Sequence, residues 1–119
     1  MDKIMTIVKR VDQQPQQMQI RNKLECFQKE VGGLIEIMTL PNNILMIMNE
    51  EGKFTEKPNF TLYLTYTDNK NIRRDHLKDI IHGNVLFVAD TGDDFGSLKA
   101  DQREYIVNSF SNMGMKYEV

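Results

Sequence analysis

Apolar and polar residues alternate from Lys3 to Val11. Ile4, Thr6 and Val8 share one face and Met5, Ile7 and Lys9 the other, which predicts a first strand. Asp12 to Gln17 is polar with Pro15 at its centre, the composition of a turn. Met18 to Arg21 returns as a short second strand. The period then changes. Leu24, Phe27 and Val31 fall at helical spacing, Asn22 suits the N-cap with Glu25 three residues on, and Gly32 supplies a left-handed stop. A helix over 22–31 is expected.

The next block, VGGLIEIMTLPNNILMIMNEEGK, is dense with signals. Leu34 to Leu40 reads as a strand, and Pro41-Asn42-Asn43 as the turn after it. Ile44 to Met48 is almost wholly apolar, which suits a strand covered on both faces or one that meets a partner chain. Gly52 is expected to take the positive φ of a tight turn. Phe60, Leu62 and Leu64 alternate with Thr61, Tyr63 and Thr65 and predict an extended segment within 54–74, where the pattern otherwise weakens. Asp68 to Arg74 reads as loop. Leu77, Ile80 and Ile81 predict a short helix over 75–81, ended by Gly83. Val85 to Ala89 is the last expected strand. A final helix is expected from about Lys99 to Met113, with the tail 114–119 loose.

These elements predict an α+β fold. We expect a single domain over 1–119, with a largely antiparallel sheet of four to six strands and two main helices packed on one face. The chain has 119 residues, enough for one core without covalent staples. One cysteine, Cys26, excludes a disulfide framework and a cysteine-based zinc site. Fifteen basic and seventeen acidic residues leave a net charge of −2, neither the basic footprint of a general nucleic-acid binder nor the acidity of a DNA mimic. Eight methionines and no tryptophan place Met38, Met46 and Met48 in apolar runs, where they fill a core. No stretch reaches the roughly 18 apolar residues of a membrane span. With no signal-peptide pattern, the expected location is the cytoplasm.

Catalytic chemistry is hard to find. His76 and His82 would lie on different sides of the expected helix, without a ligand set at recognised spacing. Ser97, Ser109 and Ser111 lie in no nucleophile elbow. Asp90, Asp93 and Asp94 follow a strand and could hold a divalent ion, yet Gly92 and Phe95 occupy positions that break an EF-hand. Lys70, Arg73, Arg74 and Lys78, with Tyr63 and Tyr66 nearby, form a candidate patch for phosphates and stacked bases. Asp68, Asp75 and Asp79 interleave with it.

The run VGGLIEIMTL, then ILMIMNEEGK, DIIHGNVLFVAD and DFGSL, resembles the domain of unknown function 3846 family over roughly Lys3 to Phe110. These are small proteins found mainly in phages, plasmids and Gram-positive bacteria. The resemblance implies no enzymatic activity and no cofactor. It marks Glu36, Asn49 and Glu50 as polar residues that packing alone does not explain. The expectation it supports is a non-enzymatic accessory protein of a mobile element in a bacterial host. Such a protein would antagonise a defence system by binding an effector protein or a nucleotide signal. A nucleic-acid-binding module at 70–78 and a metal-dependent enzyme at 90–94 are the alternatives. Pairing of copies through an exposed sheet edge is a further expectation.

Overall fold

The computed structural model describes residues 2–118, so Val119 of the tail lies outside it. The chain begins as a hairpin of β1 (Lys3–Lys9) and β2 (Gln16–Arg21). Helix α1 (Leu24–Val31) leads into a second hairpin of β3 (Ile35–Leu40) and β4 (Ile44–Asn49). A single turn, α2 (Gly52–Thr55), precedes the longest hairpin, β5 (Pro58–Thr67) and β6 (Arg73–His82). There follow β7 (Val85–Asp90), β8 (Phe95–Gly96), α3 (Ala100–Ser109), β9 (Phe110–Ser111) and β10 (Gly114–Glu118).

Two sheets result. The first has the order β2-β1-β7-β4-β3, with β8 beside β7; the second has the order β6-β5-β10-β9. Every pairing is antiparallel except β10 with β5. The fold is therefore α+β, in one compact domain, as the periodicities predict.

The apolar run of β4 has a simple cause. Ile44 and Met46 join Ile7 and Phe87 on one face of the first sheet, against Phe60, Leu62 and Met115 of the second sheet and Ile106 of α3. Leu45 and Ile47 join Ile4, Val8, Leu86 and Val88 on the other face, under Phe27 and Val31 of α1. A sheet apolar on both faces needs cover on both, at roughly 1.5–3 kcal/mol for each such side chain buried. The two larger helices accordingly pack on opposite faces of the first sheet, not on one.

Several local expectations give way to long-range contacts. Residues 75–81 are not helical. They belong to β6, which pairs with β5 at nine registered positions from Pro58–His82 to Thr67–Arg73. The loop 68–72 sets that hairpin: Asp68 accepts hydrogen bonds from the amides of Lys70 and Ile72, and Asn71 takes φ 61°. Leu77 and Ile80 stay exposed, so their helical spacing reflects no buried face. Asn22 does not cap α1. Its side-chain amide donates to the Phe95 carbonyl at 2.9 Å, and the N-cap is Lys23. The last helix stops at Ser109, and the expected loose tail is β10, with Met115 and Tyr117 buried. Five residues, GMKYE, are too few to carry a periodic signal that announces a strand. Only the groove beside β5 gives it a partner.

Gly52 also differs from expectation. It opens α2 rather than taking a positive φ. A Cβ there would lie 2.8 Å from the His82 carbonyl oxygen, so glycine is required by close approach.

Candidate functional site

Strand β3 ends the first sheet and β6 ends the second, and the two free edges face each other across a groove. Two adjoining hollows of about 340 and 410 Å³ lie in it. They share Glu36, Met48 and Asp79. Asn49, Glu50, Lys53, Phe54 and Ile80 line the first, and Ile37, Met38 and Lys78 the second.

The charges rim an apolar floor. Phe54, on α2, is 91% exposed, with Ile80 about half exposed in the same hollow and Ile37 about half exposed in the adjoining one. Asp79 accepts a hydrogen bond from Lys53 Nζ at 2.6 Å and one from the Ile80 amide at 2.8 Å. Partial burial works to raise the Asp79 carboxyl. Lys53, the Ile80 amide and His82 outweigh it, so its pKa lies below the ordinary carboxylate value. His82 is held in turn by the Glu56 carbonyl at 3.0 Å from Nδ1.

This groove brings together Glu36, Glu50 and Lys78, three residues that the sequence marks without placing. Asn49 has a different role. It is buried, donates from Nδ2 to the Val31 carbonyl at the end of α1, and accepts the Glu51 amide at Oδ1. A Cβ on Gly33 would sit 3.1 Å from that Nδ2. Asn49 and Gly33 are thus a matched pair: the amide closes the helix end, and the glycine leaves it room. Packing explains Asn49 after all. No sequence signal names Phe54 or Lys53 as part of the site, apart from the apolar isolation of Phe54 within a charged stretch.

The basic patch does not assemble. Arg73 and Arg74 are neighbours on a strand and point to opposite faces. Arg73 lies with Tyr63 on the outer face of the second sheet and pairs with Glu118. Arg74 lies across from Tyr66 on the inner face and pairs with Asp68 at 2.9 Å. Lys116, over the Tyr63 ring at 6.0 Å from its centroid, pairs with Asp75 at 2.7 Å. Lys70 sits at the hairpin tip. The tyrosines and cations are split between two faces and most charges are compensated, so no single stacking platform exists there.

The acidic loop is occupied with its own turn. Asp90 Oδ1 accepts the Gly92 amide, and Asp94 Oδ1 accepts the Phe95 amide. Among the described residues, no three His, Cys, Asp or Glu side chains group as metal ligands. The largest hollow, about 790 Å³, lies between α3 and the ends of β5, β6 and β10. The Arg73–Glu118 and Lys116–Asp75 pairs cross it, and the Tyr105 hydroxyl is buried at its side without a hydrogen-bond partner among the described residues. Those two ion pairs neutralise the charges of its wall.

No helix among the described residues is long and apolar enough to cross a membrane. A family model described as Domain of unknown function (DUF3846) matches residues 4–111. No curated protein and no solved structure matches the chain.

Proposed function

The chain belongs to the domain of unknown function 3846 family, and from that premise we propose that it is a binding protein, without catalysis of its own, that docks a protein partner in the β3–β6 groove. The observation that carries this reading is Phe54. A phenylalanine 91% exposed, on a one-turn helix, in the same hollow as half-exposed Ile80, leaves apolar surface in water. Such surface ringed by charge is the anatomy of a protein-docking site, with an aromatic anchor at its centre. The unpaired edge of β3 borders it and offers main-chain hydrogen bonds to an extended segment.

In the mobile-element setting that the sequence resemblance implies, the partner is a component of a bacterial defence system. The test pairs binding with biology. Purified protein is assayed against defence effectors and cyclic nucleotides, and the chain is expressed in bacteria carrying defined defence systems. Binding to an effector and restored phage growth, both lost in Phe54→Asp, are expected. Failure to bind any effector, or a Phe54→Asp protein that acts like the parent, overturns the reading.

A further inference from the structure

The free edges of the two sheets are unlike one another. The outer strand β2 has the sequence QQMQIR and β3 the sequence IEIMTL, each with one charged residue, while β9 has two residues. The edge strand β6, RRDHLKDIIH, carries charges of both signs, and Arg73 through Lys78 are all exposed.

We propose that two copies of this chain pair antiparallel along β6, about a two-fold axis at His76. The proposal rests on the order of charges along that edge; Lys78 and Asp79 also border the β3–β6 groove, whereas Phe54, on α2, lies off the paired strand.

The register follows from a bulge. Tyr63 of β5 stands opposite Leu77 and Leu62 opposite Asp79, so Lys78 is an extra residue and Leu77-Lys78 together fill one position of the ladder. Counted that way, Arg74 and Asp79 are equally far from His76, two positions on either side. Asp75 and the Leu77-Lys78 bulge are each one position away. An antiparallel two-fold pairing centred on His76 therefore sets Arg74 opposite Asp79 of the second copy. It sets Asp75 opposite the bulge bearing Lys78. Symmetry repeats both contacts, giving four juxtapositions of opposite charge and none of like charge.

The faces agree. Arg74 pairs with Tyr66, and Asp79 with Leu62, both on the inner face of the sheet; Asp75 and Leu77 share the outer face with Thr65 and Tyr63. Residues directly opposite in a ladder must share a face, and these do.

Neighbouring registers fail. Moving the axis to Asp75 sets Asp75 against itself and Arg73 against Lys78. Moving it to the bulge stacks bulge on bulge and leaves no opposite charges facing. Register is thus specified by charge where burial does not specify it.

The same pairing accounts for Leu77, an apolar side chain 53% exposed. On the outer face, Leu77 of each copy becomes a diagonal neighbour of the other, within contact reach. Arg74 keeps Asp68 and Asp79 keeps Lys53, so each new contact extends an existing pair into a network. A two-fold pair uses both β6 edges and closes on itself, which removes the longest open edge from solution.

Sedimentation equilibrium of the full chain tests this. The parent protein is expected to be a dimer. Arg74→Asp and Asp79→Arg each face like charges across the axis twice and are expected to raise the dissociation constant about tenfold or more. The double variant Arg74→Asp/Asp79→Arg restores opposite charges and is expected to associate like the parent. Leu77→Asp, at a position exposed in the single chain, faces Asp75 of the second copy with like charge and is expected to dissociate the dimer without lowering thermal stability of the monomer. Phe54→Asp is expected to leave association unchanged, which separates this surface from the groove. A parent protein that sediments as a monomer at all concentrations overturns the proposal, as does one whose β6 is covered only by a different protein. A dimer indifferent to Leu77→Asp, or a folded double variant that fails to recover, overturns it equally.

Discussion

Lys9 and Asn59 hold each other in a closed exchange. Lys9 Nζ donates to Asn59 Oδ1 at 2.8 Å, and Asn59 Nδ2 donates back to the Lys9 carbonyl at 2.9 Å. The same Nδ2 reaches the Gly83 carbonyl at 2.7 Å. One amide thereby ties β1 of the first sheet to β5 of the second and to the turn between β6 and β7. A register shift in β5 lies at that point, where Pro58 pairs with His82 and Phe60 with Ile81. The irregularity leaves Asn59 out of the ladder and free to face Lys9.

Asn59→Ala removes partners from Lys9 and from two carbonyls in a part-buried place. Unfolding in urea is expected to show a loss of about 1–3 kcal/mol, the usual cost of leaving such groups unpaired. A loss under a few tenths would mean that water replaces the amide at no cost.

Residues 114–118 are expected to be essential to the fold. Met115 is fully buried, and Met115→Ala should cost about 2–5 kcal/mol in denaturant melts. Gly114 has φ 130°, and a Cβ there would overlap the Thr61 carbonyl, so Gly114→Ala should break the parallel pairing of β10 with β5. Retention of the parent stability after deletion of these residues would contradict the sheet order.

Asp75 links stability to acid. Its carboxyl is held below the ordinary value chiefly by Lys116 and then by the Thr65 hydroxyl, against the opposing effect of burial. In acid the unfolded chain therefore binds the proton more readily than the native one. The contribution is present above the unfolded pKa and is lost as pH falls through the lower folded pKa. Calorimetric melts of the parent and Asp75→Asn should differ at neutral pH and converge in strong acid. A gap that stays constant with pH would show that the ion pair contributes nothing.

Phe54→Asp is expected to leave the melting temperature nearly unchanged, within about 0.5 kcal/mol, because the ring touches little of the protein itself. Its effect should fall on partner binding alone. A large destabilisation would reveal a packing role and weaken the docking reading.

Much of the fold is legible along the chain. The alternation in β1 and the stop at Gly32 read directly, as do the turn at Asn42-Asn43 (φ 66° and 58°) and the double-sided run of β4. The errors share a cause. Residues 75–81 carry apolar spacing that suits a helix, yet nine positions of pairing with β5 outweigh so short a periodic signal. Asn22 looks like a cap until Phe95 of β8 claims its amide. Of the candidate site residues, Glu36, Glu50 and Lys78 converge, Asn49 turns out to be structural, and Tyr63, Tyr66, Arg73 and Arg74 are divided between two faces. Strand parity separates the last four, and parity is invisible while a segment is read as loop or helix.

The sequence by itself determined the class of the fold, the strands that carry both cores and the absence of any recognised catalytic motif. These follow from local periodicity and residue chemistry, which act over a few residues at a time. Only the tertiary structure decided that the sheet is doubled, that the tail is a strand, and that β3 and β6 border one groove. Those depend on which distant backbones share hydrogen bonds. The bulge at Lys78 depends on them too, and through it the order in which charge is displayed along β6.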